Sequence, residues 1–322
     1  MTVRLGLLST ARSTDPLLRG AADTDAVEVV AVGSRDAGRA EAYARERGLA
    51  RAHGSYESLL GDPELDAVYV ALPNALHAEW AVRALEAGKH VLVEKPFSAR
   101  PDAVEAAFAV AERSGLVLAE AFMYRHHPQT ARVAALVREG AIGRLRSIRA
   151  RFAFLLGDRA NIRAVRELGG GALLDLGCYC VSGARLLAGE PERVQAEAVP
   201  LAAVDGAFHG TLRFRGDVVA QFEASFLAPL GQRLEAAGEE GELVVEAPWR
   251  QDWGGDVLLR RGGEVERVEI PQANAYTREL EDFAGAIRGE RAPLLGREDA
   301  VGQARALAAL LEAAATGRSV EP

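Results

Sequence analysis

Hydrophobic and polar positions alternate in blocks along the first 120 residues. Short apolar runs rich in β-branched residues predict buried parallel strands at Arg4–Leu8, Val27–Val32, Ala67–Leu72, His90–Glu94 and Leu116–Ala121. Amphipathic segments between them predict helices, most clearly at Asp36–Arg47, Leu76–Ala87 and Pro101–Ser114. A glycine follows each of these helices, as expected for a C-terminal cap. The alternation predicts a doubly wound α/β domain of Rossmann type, which binds ligands at the carboxyl ends of its strands.

The pattern changes after Phe122. The predicted elements that follow are a helix at Gln129–Arg138, a strand at Leu145–Phe154, a helix from the Gly169–Gly171 triplet through Ala188, and helices at Tyr276–Arg288 and Asp299–Ala315. Between 194 and 268, extended runs separated by turn signals predict an open, largely antiparallel sheet. We therefore expect a Rossmann domain over 1–122 and an α+β domain over 123–322, which binds substrate and forms oligomers.

Composition narrows the class of protein. The 322 residues are 49 % hydrophobic and 26 % charged, as in a globular protein, and the net charge of -8 argues against nucleic-acid or membrane partners. No apolar run approaches the roughly 18 residues that span a bilayer. Cys178 and Cys180, two residues apart, suit neither a disulfide nor a zinc site, and the six histidines lack metal-ligand spacing. These features predict a cytoplasmic protein without a metal.

The loop after the first strand lies where a dinucleotide-binding protein carries its glycine fingerprint. Here the three glycine positions fall on Ser9, Ala11 and Thr14. All three residues are small, so a pyrophosphate can still approach the backbone, and the Ser9 and Thr10 hydroxyls and the charge of Arg12 suit it. An ordinary βα turn with serine and threonine caps explains the stretch equally well.

The end of the second strand bears on the choice of cofactor. An NAD site normally places an acidic residue here, whereas an NADP site uses a small polar residue and a nearby arginine. Ser34, Arg35 and Arg39 fit the 2′-phosphate of NADP. Asp36 leaves NAD possible, unless its side chain caps the following helix.

Two further strand ends carry candidate ligand-binding residues. The first continues through Leu72, Pro73 and Asn74 to His77, a histidine that a purely structural role would also explain. The other ends in Glu94, Lys95 and Pro96. Only two of the 38 basic residues are lysines, Lys89 and Lys95, and the others are arginines. In a chain that otherwise uses arginine, we expect each lysine to have a role that arginine cannot fill. Burial at a strand end lowers the pKa of a lysine toward the range useful for proton transfer.

Several motifs together resemble one family over nearly the whole chain, in the family's order. They are GLLSTAR, SRDAGRAEAYA, GSYESLL, PNALHAEW, ALEAGKHVLVEKP, EAFMYRHHPQ, NIR, GGGALLDLGCYCV, GEEGEL and ELEDFAGAIRGE. The family is that of glucose–fructose oxidoreductase, inositol dehydrogenase and the rhizopine-catabolism protein (Gfo/Idh/MocA). EKP and GGGALLDLGCY are its most specific elements here.

The resemblance implies a nicotinamide cofactor and a second domain whose open sheet face forms dimers or tetramers. It also implies a catalytic lysine, which matches Lys95, and a D-x-x-x-H/Y pair over the nicotinamide, which matches Asp175 and Tyr179. Tyrosine at that position is similar to the glucose–fructose oxidoreductase and dihydrodiol dehydrogenase branch, which tends to use NADP and tolerates serine at the first fingerprint position. Thr14 departs from the family pattern, which puts pyrophosphate affinity in doubt.

Helix geometry also supports Asp175 and Tyr179 as candidate catalytic residues. Asp175 and Tyr179 are four residues apart and lie on one helix face, in the first turns, where the helix dipole favours an oxyanion. This location and the Lys95 ammonium would lower the pKa of Tyr179, although a tyrosine packed in the core is the alternative. Arg163 is expected to point toward cofactor or substrate.

The predicted function is hydride transfer between NADP and a sugar, cyclic polyol or diol. Two alternatives remain: a cofactor-binding sensor without catalysis, and a glycosidase that recycles its nicotinamide. Specificity is expected from loops 155–167 and 248–255, where Trp249 and Trp253 either stack on a sugar ring or pack in the core.

Overall fold

The computed structural model describes residues 1–158 and 160–322. The chain forms two compact units. The first contains 1–98, 102–126 and 274–301, and the second contains 99–101, 127–273 and 302–322. Residues 274–301, assigned from the sequence to the domain over 123–322, thus belong by contact to the first unit. The division of function at residue 122 stays a prediction.

The first unit is built on a six-stranded parallel sheet in the order β3-β2-β1-β4-β5-β6. Its strands are β1 Val3–Leu8, β2 Val27–Gly33, β3 Arg51–His53, β4 Ala67–Val70, β5 His90–Glu94 and β6 Leu118–Ala121. All four residues of β4 are fully buried, as in a sheet covered on both faces. This is the predicted doubly wound architecture, with the addition of β3, whose sequence RAH has no apolar run.

The second unit is built on an eight-stranded sheet in the order β14-β13-β12-β11-β7-β10-β9-β8. Its strands are β7 Leu145–Ala153, β8 Pro191–Leu201, β9 Val204–Phe214, β10 Val218–Ser225, β11 Gly231–Gly238, β12 Gly241–Val245, β13 Val257–Arg261 and β14 Glu264–Arg267. β7 and β10 pair in parallel, and the other neighbours pair antiparallel. The prediction of an open, largely antiparallel sheet is confirmed.

The α-helices of the described chain are α1 Thr14–Ala22, α2 Ala37–Arg47, α3 Tyr56–Leu60, α4 His77–Glu86, α5 Pro101–Ser114, α6 Pro128–Arg138, α7 Cys178–Ala188, α8 Ala275–Ile287 and α9 Arg297–Thr316. Six of them, α2, α4, α5, α6, α8 and α9, lie within two residues of their predicted bounds, and no bounds were predicted for α1 and α3. Gly48, Gly88 and Gly115 adopt φ values of 69°, 79° and 65°, so they end their helices in the left-handed conformation that glycine permits.

The helix predicted from the glycine triplet through Ala188 is not one continuous α-helix. Residues Leu173–Gly177 form a π-helical turn, and α7 follows it. The stretch Arg166–Ala188 is long and apolar enough to pass as a membrane span, with a mean hydropathy of 1.2, but its apolar window is 72 % buried inside the protein, as expected for a core helix. Cys178 and Cys180 are buried free thiols within it.

The two lysines have different surroundings. Lys89 is 7 % exposed, and its Nζ donates hydrogen bonds to the backbone carbonyl oxygens of Asp62 at 2.7 Å and Leu65 at 2.9 Å. A flexible ammonium with three donors suits this buried pair of carbonyls better than a planar guanidinium does. Lys89 is therefore a structural lysine of the first unit, whereas Lys95 lies at the end of β5.

Candidate active site

The loop after β1 keeps the backbone geometry of a glycine fingerprint without its glycines. Ser9, at the first fingerprint position, has a φ of 155°, a conformation that L side chains rarely adopt. Its Oγ accepts a hydrogen bond of 3.0 Å from the backbone N–H of Ala11. Ser9, Thr10 and Ala11 are partly exposed and Arg12 is exposed, so the loop is open to a ligand at the start of α1.

Thr14, at the third fingerprint position, has a packing role. It is fully buried, and its Oγ1 donates a 2.6 Å hydrogen bond to the carbonyl oxygen of Ala11. The same hydroxyl contacts the phenol oxygen of Tyr43 on α2. Thr14 thus fastens the start of α1 to the loop and to α2, and its side chain does not lie at the loop surface.

The end of β2 carries two exposed arginines beside a carboxylate with a structural task. Asp36 Oδ1 accepts a 2.8 Å hydrogen bond from the backbone N–H of Arg39, so Asp36 is the N-cap of α2. Arg35 and Arg39 are exposed, with no carboxylate bound to their guanidinium groups in the described chain. Ser34 is 5 % exposed, and its Oγ accepts from the N–H of Asp36 at 3.3 Å. The side chain of Asp36, the residue that left NAD possible, therefore serves as a helix cap. The guanidinium groups of Arg35 and Arg39 are accessible to a ligand.

His77 lies between the ends of β4 and β5. It is 1 % exposed, and its ring nitrogens lie 2.8 Å from two backbone carbonyl oxygens, Nδ1 from that of Pro96 and Nε2 from that of Leu72. Burial lowers its pKa to about 4, so the ring is neutral at pH 7 and donates to one carbonyl at a time. Both nitrogens are used within the protein, which favours a positioning role over the direct cofactor contact expected from the sequence.

Glu94 fixes the backbone at Lys95. Its Oε1 accepts a hydrogen bond from the hydroxyl of Tyr69, a fully buried residue of β4, and its Oε2 accepts one of 3.1 Å from the backbone N–H of Lys95. The peptide bond between Lys95 and Pro96 is cis. Lys95 is partly buried, and its charge contributes to the lowered pKa of His77, so both residues share one environment. Because β4 and β5 pair in parallel, Lys95 after β5 and Pro73 and Asn74 after β4 follow the ends of neighbouring strands.

Asp175 and Tyr179 occupy the π-helical turn and the start of α7 in the second unit. Asp175 Oδ2 accepts a 2.7 Å hydrogen bond from Arg163 Nε, which makes an ion pair that the sequence analysis did not predict. Tyr179 is 6 % exposed and packs edge-on against Phe152, with ring centroids 5.5 Å apart. A π-helical turn is rare and is often found at functional sites, so its presence at Asp175 is consistent with one.

The glycine triplet positions this helix on Asp205, a residue that the sequence analysis missed. A Cβ on Gly170 would lie 2.5 Å from the carbonyl oxygen of Arg163, and one on Gly171, whose φ is 123°, would lie 2.1 Å from Asp205 Oδ1. Asp205 Oδ2 accepts a 2.7 Å hydrogen bond from the backbone N–H of Leu173. Asp205 thus binds at the start of the π-helical turn, five residues before α7 begins, and the expectation that the helix start favours an oxyanion on Tyr179 stays a prediction. Burial raises the pKa of Asp205 to about 6.

The two candidate stacking residues differ in burial. Trp249 is fully buried against Gly183, and its Nε1 donates to the carbonyl oxygen of Arg151 at 3.0 Å, so it is a core residue. Trp253 is 44 % exposed and lies edge-on to Phe152, with centroids 6.2 Å apart. Within loop 155–167, residue 159 lies outside the described residues. No cluster of three or more potential metal-binding side chains occurs in the residues that the structure describes.

The first unit has the fold of a dinucleotide-binding domain, and the second presents a tyrosine, a carboxylate and an arginine on one helix start and its flanking loop. These features define a nicotinamide-dependent oxidoreductase. Residues 6–122 match the oxidoreductase family model with an NAD-binding Rossmann fold, and 130–244 match the C-terminal domain of GFO/IDH/MocA proteins. The chain belongs to the Gfo/Idh/MocA family of oxidoreductases.

Relatives extend over nearly the full length. The chain is 40 % identical over 299 residues to a D-xylose 1-dehydrogenase (NADP(+)) of Haloferax volcanii, which covers 91 % of this chain and 92 % of the relative. The structure of an aldose-aldose oxidoreductase from Caulobacter crescentus, complexed with glycerol, matches with a TM-score of 0.93 at 27 % identity, covering 100 % of both chains. That of a 3-ketoreductase from Actinomadura kijaniata, with NADP and TDP-benzene, matches with 0.90 at 32 % identity, covering 97 % and 98 %.

The conformation of Ser9 can be tested with two substitutions that both remove its hydroxyl. Ser9→Ala keeps a side chain at a φ of 155°, whereas Ser9→Gly releases it. We expect Ser9→Gly to be more stable than Ser9→Ala by about 1 kcal/mol, since the strain relieved exceeds the extra entropy of glycine in the unfolded chain. Urea unfolding measures the difference. Ser13→Gly against Ser13→Ala, at an αR position, is the control, and equal stability of the two Ser9 variants would contradict the assignment.

Proposed function

We propose that the protein is an NADP-dependent dehydrogenase or reductase that acts on a sugar, a cyclic polyol or a related diol. The observation that carries the proposal is the presence of Lys95 at the end of β5 and of Asp175 and Tyr179 around the start of α7 in a chain of this family. The activities of relatives, on xylose, aldoses and a keto sugar, support this substrate class. Bound nicotinamide would supply or accept the hydride at the carbon that carries the reacting oxygen.

The first unit fits such a cofactor. The loop of Ser9, Thr10, Ala11 and Arg12 offers backbone N–H groups and a positive charge to a pyrophosphate. Arg35 and Arg39, both exposed, would offer their guanidinium groups to a 2′-phosphate, and arginine binds phosphate through paired N–H groups. We assign the nicotinamide end to the residues after β4 and β5, which are Leu72, Pro73, Asn74, Glu94, Lys95 and Pro96, with His77 holding those two strand ends together.

Tyr179 and Lys95 are the proposed acid–base residues. In the reducing direction the Tyr179 hydroxyl would protonate the oxygen that becomes an alcohol, and the Lys95 ammonium would orient that oxygen and favour the ionised phenol. Asp175 and Arg163, already paired with each other, would hold a neighbouring substrate hydroxyl through the carboxylate and the guanidinium. Positioned acid–base groups of this kind typically contribute factors of about 10²–10⁴ to the rate.

The catalytic assignment predicts large losses from two small changes. Lys95→Met and Tyr179→Phe should each lower kcat by about 10²–10⁴ on an accepted substrate, because each removes a proton donor or its charge. NADPH oxidation over a panel of aldoses, ketoses and diols measures this. Lys89→Met and Tyr56→Phe are matched controls, since we expect Lys89 to affect stability alone and Tyr56 packs on Trp80.

Three results would contradict this proposal. Wild-type kcat in Lys95→Met or Tyr179→Phe would remove that residue from the mechanism. NADP binding without turnover across the panel, together with capture of a protein partner, would identify a sensor. Product formation without net change of tightly bound nicotinamide would identify a redox-assisted glycosidase.

The choice of NADP over NAD predicts a selective effect at Arg35. Loss of a charge-assisted contact costs about 1.5–3 kcal/mol, so Arg35→Ala should weaken NADP binding by about 10–100-fold and leave NAD binding nearly unchanged. Tryptophan fluorescence or calorimetric titration with each dinucleotide measures both affinities. Arg45→Ala, at the far end of α2 and also exposed, is the control. Equal weakening of NADP and NAD would mean that Arg35 does not contact the 2′-phosphate.

We further propose that copies of this chain assemble through the outer face of the second sheet. On that face, neighbouring strands align Arg151 with Glu223 and Glu223 with His209, and the first two form an ion pair of 3.3 Å. Arg149 and Gln221, one row along, are exposed. A face with both signs of charge can meet a second copy of itself across a two-fold axis.

The buried thiols of Cys178 and Cys180, which form no disulfide, support a reducing compartment, and we place the protein in the cytoplasm.

Reversal of one charge tests this interface. Arg149→Glu should weaken the assembly at least tenfold, because like charges placed across an interface repel. Sedimentation velocity over a dilution series measures the effect, and Arg138→Glu, exposed at the end of α6, is the control. A wild-type chain that is monomeric at micromolar concentration, or an assembly unaffected by Arg149→Glu, would contradict this interface.

A further inference from the structure

One carboxyl group of the first unit is buried without a hydrogen bond. Glu279 lies on α8 and is 1 % exposed, and neither of its oxygen atoms has a hydrogen-bond partner among the described residues. Its helix neighbours Leu280 and Phe283 belong to the hydrophobic core that also contains Tyr69 and Leu92. An ionised carboxylate in such a place is strongly disfavoured, because no hydrogen-bond donor among the described residues replaces its lost hydration.

The charges around Glu279 disfavour ionisation further. Burial raises the pKa of Glu279 well above its ordinary value, and the negative charges of Glu94 on β5 and Asp282 on α8 raise it further. Tyr69 of β4 and Tyr276 of α8 also face this region, and they carry no positive charge.

The nearby cations are engaged elsewhere. The 3₁₀ turn Met123–His126 packs against α8. Burial lowers the pKa of His126 to about 4, so this ring, 3.9 Å from Asp282, is neutral at pH 7, and Arg125 binds Asp299 at 3.2 Å. Arg291 binds Asp282 at 3.1 Å. Helix α1 contacts α8 through the uncharged backbone carbonyl of Gly20, which accepts a hydrogen bond from the Thr277 hydroxyl.

We propose that Glu279 is held as a neutral carboxylic acid, and that its neutrality keeps an additional negative charge away from Glu94, which precedes Lys95 in the chain. Glu94 uses its two oxygens to bind the Tyr69 hydroxyl and the backbone N–H of Lys95. A second carboxylate here would repel Glu94 and make the field at Lys95 more negative, which would raise the pKa of that ammonium. Glu279 is thus a positioning residue, and this role rests on the proposed function of Lys95.

The protonation state of Glu279 can be tested without measuring enzymatic activity. An unfolded chain releases the Glu279 proton near the ordinary pKa of a glutamate, whereas the folded chain retains it, so folding becomes less favourable as pH rises. Relative to Glu279→Gln, which cannot ionise, the unfolding constant of the wild type should rise about tenfold per pH unit between pH 5 and 8. Urea unfolding measures the ratio.

Glu281→Gln is the matched control. It lies on the same helix, and its carboxylate binds Arg278 at 2.9 Å, so its unfolding constant should keep a nearly constant ratio to that of the wild type over this pH range. A constant ratio for Glu279→Gln as well would overturn the proposal. If Glu279→Gln does not fold, ¹³C-carboxyl-labelled wild type provides the test: a glutamate resonance at the chemical shift of a neutral acid at pH 7 supports the proposal, and its absence overturns it.

The positioning role has a separate readout. The pH profiles of kcat/KM for wild type and Glu279→Gln should coincide below neutrality and separate on the alkaline side, where Glu279 ionises in the wild type alone. Coincident profiles up to the pH at which the Glu279 resonance titrates would overturn the role at Lys95. Failure of the proposed function itself is distinguishable, since it would show as full activity in Lys95→Met, with the unfolding ratio of Glu279→Gln unaffected.

Discussion

The imidazole of His77 lies between the backbone carbonyl oxygens of Leu72 and Pro96, and it is this buried contact that separates the two segments after β4 and β5 where candidate residues lie. Parallel strands end with carbonyl groups that no further strand satisfies, and the two chains then diverge into separate loops. His77, at the first position of α4, occupies the gap between the Leu72 and Pro96 carbonyl oxygens. Because the ring is buried and neutral, its single N–H donates to one of these carbonyls at a time, and it adds no charge beside Lys95.

At other strand ends and helix starts, carboxyl groups fix the backbone by accepting hydrogen bonds from N–H groups. Asp36 caps α2, Glu94 holds the N–H of Lys95, and Asp205 receives the N–H of Leu173. Such contacts satisfy donors that strand ends and helix starts leave without partners. At the edge of the first sheet, Arg35 and Arg39 are exposed on either side of Asp36, whose carboxylate caps α2. Their positive charges suit a phosphorylated dinucleotide.

The elements with local signals could be predicted from the sequence, and those that depend on distant contacts could not. Buried strands such as β4 and the glycine that ends α2 depend on a few neighbouring residues, so the pattern of the first sheet was predicted. β3 has three polar or small residues, and its strand conformation comes from pairing with β2. Asp205 binds Leu173, 32 residues away in the sequence, and Glu279 interacts with Glu94, 185 residues away. No local sequence pattern predicts such distant pairs.

The fingerprint loop shows what a glycine motif demands physically. Its first position needs a backbone conformation, and Ser9 adopts that conformation with a side chain that bonds the Ala11 N–H. Its third position needs a close helix contact, and Thr14 supplies one by bonding Ala11 and Tyr43 from a buried site. The two demands are independent, because one concerns backbone strain and the other side-chain packing. A chain can therefore replace the first and third glycines of the fingerprint, provided that each replacement meets its own demand.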